Sequence, residues 1–281
     1  MAFERVSKIL KMADDAKTSV IAFNCTDFNM AYSVVAVAEE LQKPVIIMLY
    51  PEHCYLNNAS TPAAFAGMVR ALAEDVNVPI GLHLDHSSDY EYIMNAIKGG
   101  FTSVMYDGSM LPVEENIKNT KKVVETAHIF GVDVEAELGH VGFAAASDQD
   151  KEDMYTKPEV AANFYNETNC DSIAIAIGSA HGVYKTTPKL DLGRLEEINA
   201  ATEVPLVLHG GSGIPNDQLE LAFSKGINKF NVGTEFFQLY YDSMKEYCEI
   251  NGTKGNVFDM PKYAQEKLMD YLRVKMQLSK F

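Results

Sequence analysis

The chain has 281 residues, of which 47% are hydrophobic, and it carries a formal net charge of −15 at pH 7. This acidity disfavours nucleic acid and anionic membrane surfaces as partners. The length and apolar content suffice for one large core, as in an α/β domain of barrel size.

The N-terminal segment does not resemble a targeting signal. Residues 1–17 are charged and amphipathic, and the longest apolar runs of the chain have only the length of strands. The four cysteines are scattered and form no CxxC pair, which is typical of reduced thiols. We therefore expect a cytoplasmic protein.

Short apolar runs alternate with segments of helical periodicity along the chain. The predicted strands cover residues 19–24, 44–49, 80–85, 102–107, 132–138, 171–177, 204–209 and 228–233. The helices that follow them cover 30–41, 61–74, 89–99, 113–130, 158–167, 192–200, 216–225 and 234–250. Two further helices are predicted near 2–15 and 264–276.

Eight strand–helix units without a linker predict an α/β fold, a (β/α)8 TIM barrel that forms a single domain over residues 1–281. The extra N- and C-terminal helices are expected to cap the barrel or to support a dimer. A doubly wound open sheet is the competing fold.

Catalytic groups of a barrel lie at the C-terminal strand ends. That rule selects Asn24, Asp85, His86, Asp107, Glu135, Glu137, His181, His209, Asn231 and Thr234.

Three histidines, His86, His181 and His209, each end a predicted strand just before a loop or a glycine-rich turn. A lone histidine at a strand end is more often structural, but three of them beside carboxylates favour a metal site. Three imidazoles at one point form a zinc site with an open fourth position. His83 shares a strand face with Asp85, and we expect it to be a supporting or core group.

Carboxylates from neighbouring strands complete this pattern. Asp85 directly precedes His86, so its carboxylate is able to move a proton beside a metal-bound substrate. The alternative is an acid that only orients a histidine. Glu137 and Asp107 are able to hold a second cation. Glu135 shares a strand face with Glu137, and the alternative for this pair is a hydrogen-bonding network inside the barrel.

Glycine-rich turns follow the last three predicted strands. Gly182 follows His181, a GGSG run at 210–213 follows His209, and NVGT at 231–234 opens the last barrel helix. Exposed backbone N–H groups, hydroxyls and a helix N-terminus all favour phosphate, and the loops after strands 7 and 8 are its usual site in barrels. A glycine turn alone also serves simply to shape the chain.

Seven motifs in this order resemble the class II (zinc-dependent) ketose-bisphosphate aldolases of the fructose- and tagatose-bisphosphate type, over residues 5–276. They are AFN (22–24), HLDH (83–86), YDGS (106–109), VEAELG (134–139), AIGSAHGVYKTTPKLD (176–191), VPLVLHGGSGIP (204–215) and FNVGTE (230–235). The implied reaction is reversible cleavage of a ketose 1-phosphate or 1,6-bisphosphate to dihydroxyacetone phosphate and an aldehyde, through a metal-stabilised enediolate. The resemblance also implies a role in carbohydrate metabolism, such as glycolysis, and a homodimer or homotetramer.

The resemblance assigns roles to individual residues. His86, His181 and His209 match the ligands of a catalytic Zn²⁺, and Asp85 matches the acid/base group. Asp107 and Glu137 match a second metal site, and a monovalent cation is expected near the phosphate loops. The predicted contacts to substrate and phosphate are Asn24, Gly182, Lys185, Gly210, Gly211, Ser212, Asn231, Gly233 and Thr234.

The chain departs from the family in two places. After VEAELG the family has a Gly-Gly pair and acidic residues, whereas residues 139–153 read GHVGFAAASDQDKED. Asp148 or Asp150 replaces the loop acid if this segment folds over the site; otherwise water or another group moves the proton. Relatives that bind a distal phosphate use a Ser or Thr where Tyr50 stands, and an Arg where residues 255–265 have none. A modified or non-6-phosphorylated sugar phosphate is therefore the alternative substrate.

Two other functional classes compete with a zinc aldolase. A metal-dependent hydrolase barrel needs an HxH pair at the end of strand 1, where this chain has Asn24 and Cys25. A non-catalytic sugar-phosphate-binding barrel is the other alternative, and the intact histidines and Asp85 disfavour it. A Schiff-base aldolase needs a barrel lysine, and no predicted strand ends in one.

Overall fold

The computed structural model describes residues 2–51, 61–139, 155–180, 182 and 187–281. Its eight strands form a closed parallel barrel in which each strand pairs with the next and β8 returns to β1, with Ala22 opposite Asn231. This closure confirms the TIM barrel and excludes the open sheet. The strands are β1 (Val20–Asn24), β2 (Val45–Leu49), β3 (Ile80–Leu84), β4 (Ser103–Tyr106), β5 (Asp133–Leu138), β6 (Ser172–Ile175), β7 (Leu206–Leu208) and β8 (Ile227–Val232).

The helices lie between and beyond these strands. Those of the described residues are α1 (Val6–Asp15), α2 (Phe28–Leu41), α3 (Pro62–Glu74), α4 (Tyr90–Gly99), α5 (Val113–Ile129), α6 (Pro158–Thr168), α7 (Leu192–Ala201), α8 (Asn216–Ser224), α9 (Thr234–Asn251) and α10 (Asp259–Met276). A short 3₁₀ helix, Gly252–Lys254, joins the last two. None of the described helices is long and apolar enough to cross a membrane.

Two terminal helices start at other residues than predicted. α1 begins at Val6 because Phe3 forms a parallel bridge with Ile80, and Glu4 N donates to Ile80 O over 2.9 Å. α10 begins five residues earlier than predicted because Asn256 Oδ1 accepts from the N–H groups of Phe258 and Asp259. Pro261 then lies in the first turn, where its missing N–H costs nothing.

Every strand residue is buried, which is typical of a parallel sheet covered on both faces. Inside the N-terminal end of the barrel, Val20 and Ile46 pack against Val6 and Ile9 of α1, and Phe281 packs on the same cluster. Helix α1 and Phe281 therefore cover the N-terminal end of the barrel. This position agrees with the prediction that the N-terminal helix caps the barrel. The site must lie at the opposite, C-terminal face.

The turn after β7 lies close to two neighbouring segments. Gly210 has a φ of 66°, and a Cβ there would lie 2.4 Å from Ala180 O. A Cβ on Gly211 would lie 1.9 Å from Cε2 of Phe230, a fully buried side chain of β8. Only glycine therefore fits at this turn, which brings its backbone N–H groups to the C-terminal face.

We predict that Gly211→Ala lowers the free energy of unfolding by about 1–3 kcal/mol, because the new methyl group overpacks against Phe230. The measurement is the urea midpoint of the purified variant. Gly67→Ala in α3 is the matched control, since a Cβ there meets nothing within 4 Å and alanine favours helix. Its midpoint should stay or rise, and a wild-type midpoint for Gly211→Ala would contradict the packing argument.

Candidate active site

A cavity of about 730 Å³ opens at the C-terminal face of the barrel. It brings together most of the predicted site residues, namely Asn24, Asp85, His86, Asp107, Glu137, Gly182, Gly210, Gly211, Ser212, Asn231, Gly233 and Thr234. Tyr50, Ser109, Met110 and Phe237 also line it. His209 lies directly behind the wall. The predicted ligand His181 and the predicted phosphate contact Lys185 lie outside the described residues, as do Asp148 and Asp150.

Two imidazoles, His86 of the cavity wall and His209 behind it, lie against each other. Nε2 of His86 lies 3.0 Å from Nδ1 of His209. The opposite nitrogens face carboxylates: His86 Nδ1 lies 2.8 Å from Asp107 Oδ2, and His209 Nε2 lies 2.9 Å from Glu135 Oε1. An ionised carboxylate only accepts hydrogen bonds, so these opposite nitrogens carry the N–H groups. This carboxylate–histidine arrangement is the one that orients metal-binding imidazoles.

The backbone turns His86 into this position. Its φ of 37° is left-handed, a conformation that costs a residue with a side chain about 1–3 kcal/mol. The residue lies two positions after the end of β3, and its amide N–H points to Met105 Sδ on β4 over 3.4 Å. Tyr50, which follows β2, places its ring edge-on to the imidazole, with centroids 6.1 Å apart. The strained turn therefore aims the imidazole into the cavity between these neighbours.

The donor atoms of this cluster fit a metal ion. One group comprises Asp85, His86 and His209, and a second comprises His86, Asp107 and Glu137, each with its ligand atoms within 4.8 Å of one another. The two groups use opposite sides of the His86 ring. Glu137 Oε2 is buried, has no hydrogen-bond partner among the described residues, and lies 3.4 Å from His209 Nδ1. A buried carboxylate oxygen in that state calls for a cation, and a set of imidazole and carboxylate donors suits zinc.

The same carboxylates change the pKa values of the imidazoles. Burial disfavours the charged form of His209, but Glu135 and Glu137 outweigh it and raise the pKa of His209 to about 10. Burial also opposes charge on His86, while Asp85 and Asp107 raise its pKa above the ordinary value. In return, the hydrogen bond from His86 overcomes burial and lowers the pKa of Asp107. The carboxylates therefore favour the protonated form of both imidazoles.

Two asparagine amides hold the carboxylate of Asp85. Asn24 of β1 donates Nδ2–H to Oδ2 over 2.8 Å, and Asn231 of β8 donates Nδ2–H to Oδ1 over 3.1 Å. Burial raises the pKa of Asp85, but the nearby charges of His86 and His209 outweigh it and bring the pKa to about 2. The side-chain oxygens of both asparagines are buried and have no partner in the described part of the chain. They are ready to accept hydrogen bonds from hydroxyl groups.

The two sides of the cavity differ in chemistry. On the β7 and β8 side lie the glycine turns and the N-terminus of α9, where Ser212 Oγ accepts from Glu235 N over 3.3 Å. These backbone N–H groups and the helix dipole suit an anion such as phosphate. On the β2 and β4 side lie Tyr50, Ser109 and Met110. A ligand that spans the cavity passes Asp85 and His86 on its way.

Sequence reasoning missed the role of Lys229, which stands within β8. Its Nζ lies 2.8 and 3.0 Å from the two oxygens of Glu135, and both side chains are fully buried. The sequence signal was a lysine within a predicted strand, since a buried charge needs a partner. The glutamate pair is therefore divided. Glu135 joins the interior network, whereas Glu137 lines the cavity.

Two further histidines have structural surroundings. His83 is buried inside the barrel, where Nδ1 bonds Ser103 Oγ at 2.8 Å, and burial together with the Lys229 charge lowers its pKa to about 3. His128 near the end of α5 bonds Asp171 at 2.8 Å. Neither lines the cavity.

Comparisons with known proteins identify the family. The family model for class-II fructose-bisphosphate aldolase matches residues 4–280. A fructose-bisphosphate aldolase of Geobacillus stearothermophilus is 41% identical over 238 residues, which cover 84% of this chain and 82% of the relative. A Bacillus subtilis (strain 168) protein described as "Probable fructose-bisphosphate aldolase" is 38% identical over 99% of this chain and 97% of its own length.

A solved structure gives the same result. The YdjI aldolase from Escherichia coli K12 superposes with a TM-score of 0.87 at 33% identity, over 98% of this chain and 97% of that one. The family, the named relatives and the structural neighbour are all aldolases. They therefore favour an aldolase over a hydrolase or a non-catalytic binding protein. The chain belongs to the class II fructose-bisphosphate aldolase family and is an enzyme of this aldolase type.

Proposed function

We propose that this enzyme catalyses reversible, zinc-dependent aldol cleavage of a ketose 1-phosphate to dihydroxyacetone phosphate and an aldehyde. The observation that carries the proposal is the convergence of His86 Nε2 and His209 Nδ1, 3.0 Å apart, beside the carboxylate of Asp85. Family membership supports the reaction type, and the geometry supports the roles of the residues.

The proposed zinc ligands are His86, His209 and His181, the last from its motif alone. When bound, zinc supplies a Lewis acid for the negative charge that develops on the former carbonyl oxygen. We propose Asp107 and Glu137 for a second divalent ion on the other side of the His86 ring. We also propose that a monovalent cation binds near the phosphate turns.

Asp85 is the proposed acid/base group. With a pKa of about 2 it is ionised, so in cleavage it is able to accept the proton of the hydroxyl group at the bond that breaks. In synthesis it returns the proton to the aldehyde oxygen. The amides of Asn24 and Asn231 fix both carboxylate oxygens, and their own side-chain oxygens are placed to accept from substrate hydroxyls.

The phosphate of the dihydroxyacetone half is assigned to the glycine turns. Gly182, Gly210, Gly211 and Gly233 line that side of the cavity, with Ser212 and Thr234 beside them. Backbone N–H groups at the start of α9 supply the positive end of the helix dipole. We keep Lys185 as a proposed phosphate contact from its motif.

The aldehyde half is assigned to the side of Tyr50, Ser109 and Met110. Among the described residues that line the cavity there is no lysine or arginine, whereas Asp85, Asp107 and Glu137 are acidic. A second phosphate would lack there the guanidinium fork that suits it. This composition favours a neutral or modified aldehyde over glyceraldehyde 3-phosphate, although relatives are named for fructose bisphosphate.

Changing Asp85 to Asn should lower kcat/KM by about 100-fold to 10,000-fold, because the proton acceptor is lost while the shape is kept. Steady-state cleavage and condensation assays measure the change. Asp89→Asn is the control, since Asp89 caps α4 outside the cavity and asparagine caps equally well. Wild-type activity in Asp85→Asn would remove the acid/base assignment.

Removal of the metal by a chelator should abolish carbon–carbon bond formation from dihydroxyacetone phosphate, and added Zn²⁺ should restore it. Because the pKa of His209 is raised to about 10, zinc must displace a proton at neutral pH. The apparent affinity should therefore rise with pH, by about tenfold per unit for each proton displaced, in competition titrations between about pH 6 and pH 9.

His209→Ala should lose stoichiometric zinc, whereas His128→Ala on α5 should keep it. Elemental analysis of the purified variants decides this. Aldol synthesis that is unaffected by the chelator would defeat the zinc mechanism, and stoichiometric zinc in His209→Ala would remove that ligand.

A panel of aldehydes tests the second half of the substrate. With dihydroxyacetone phosphate as partner, neutral and modified aldehydes should be condensed with higher kcat/KM than glyceraldehyde 3-phosphate. In Tyr50→Ser the preference should shift towards the phosphorylated aldehyde, because a hydroxyl group replaces the ring beside His86. Cleavage of fructose 1,6-bisphosphate far faster than of every ketose monophosphate would overturn this assignment.

A further inference from the structure

We infer that Glu135 and Lys229 are positioning residues that make His209 present Nδ1, and not Nε2, to the metal. The inference rests on the proposed metal site and goes beyond it, because neither residue lines the cavity. It assigns a function to a buried charged pair that the proposed reaction does not otherwise use.

The hydrogen bonds at Glu135 define the direction of the effect. Oε1 accepts from His209 Nε2 at 2.9 Å and from Lys229 Nζ at 3.0 Å. Oε2 accepts from Lys229 Nζ at 2.8 Å and from Ser172 Oγ at 3.3 Å. Lys229, His209 and Glu135 are each no more than 1% exposed, so water does not compete for these bonds.

Lys229 determines which way the imidazole bond runs. An ammonium group has three donors and no acceptor, so beside it both oxygens of Glu135 are acceptors. The N–H group of the ring must then lie on Nε2, which leaves Nδ1 as the nitrogen that faces His86. Loss of Lys229 would remove the donor that both oxygens of Glu135 share, so the carboxylate would no longer be held against Nε2 of His209.

A purely structural ion pair would not need this connection. Apolar side chains often replace buried pairs with no loss of stability, so burial alone does not explain Lys229. What distinguishes this pair is its contact with an imidazole whose other nitrogen lies 3.0 Å from Nε2 of the cavity-lining His86. The nearby His83 directs Nδ1 to Ser103 Oγ and keeps Nε2 3.8 Å from Glu135 Oε1, so it competes little for that oxygen.

The first experiment uses the intact enzyme loaded with ¹¹³Cd²⁺ and labelled with ¹⁵N-histidine. We expect a one-bond ¹¹³Cd–¹⁵N coupling to Nδ1 of His209 and a retained proton on its Nε2, with signals assigned through the ring carbons. A coupling to Nε2 instead would overturn the inference. A protein that binds neither Cd²⁺ nor Zn²⁺ would overturn the proposed metal site itself, which is a different and recognisable result.

The second experiment measures Zn²⁺ affinity by competition with a chelating dye. Glu135→Gln and Lys229→Met should each weaken binding by about 10-fold to 100-fold, the usual effect of losing a group that orients a ligand. Lys229→Arg keeps the donors and should restore most of the affinity. Ser172→Ala, which removes only the longest bond to Glu135, should bind within about twofold of the wild type.

Thermal unfolding of the metal-free proteins separates positioning from folding. Glu135→Gln or Lys229→Met that folds and binds Zn²⁺ as tightly as the wild type would contradict the inference. If Lys229→Met does not fold, the cadmium coupling in the wild type and the affinity of Glu135→Gln still decide it.

Discussion

Two carboxylate–imidazole hydrogen bonds are the constraint on which the rest of this site depends. Asp107 fixes the ring of His86 and Glu135 fixes the ring of His209, so one nitrogen of each ring is committed and the other two converge. The four residues belong to β5 and to the segments that follow β3, β4 and β7. They meet because a closed barrel brings the ends of its strands to one face.

The charges around these bonds are arranged in two layers. Inside the barrel Lys229 balances Glu135, and the neutral His83 adds no charge. At the cavity, by contrast, the described carboxylates of Asp85, Asp107 and Glu137 face two imidazoles. Such a surplus of buried negative charge is costly unless protons or a cation offset it. The carboxylates and imidazoles proposed to bind a cation thus lie beside the glycine turns proposed to bind an anion.

The sequence predicted the fold and much of the cavity because both depend on local patterns. Strand periodicity located all eight strands, and the residue at each strand end was readable directly, as with Asn24 and Asp85. The predicted first residues of two helices were wrong because a distant or capping contact determines them. These contacts are Phe3 with Ile80 before α1 and Asn256 before α10. The partnership of Glu135 with Lys229 joins residues 94 positions apart, on strands that are not neighbours in the barrel. No local pattern encodes such a contact.

The difference between local patterns and distant contacts also explains why one half of the proposed substrate is better defined than the other. The proposed phosphate contacts are backbone N–H groups at turns that only glycine can form, so Gly210 and Gly211 mark this side in the sequence. The proposed aldehyde side is lined by side chains from separate loops, such as Tyr50 after β2 and Met110 after β4. Loop side chains can change without disturbing the barrel, whereas the turns, Asp85 and the two imidazoles depend on one another. We therefore expect divergence in substrate within this family at the β2 and β4 side, and not at the turns or the two imidazoles.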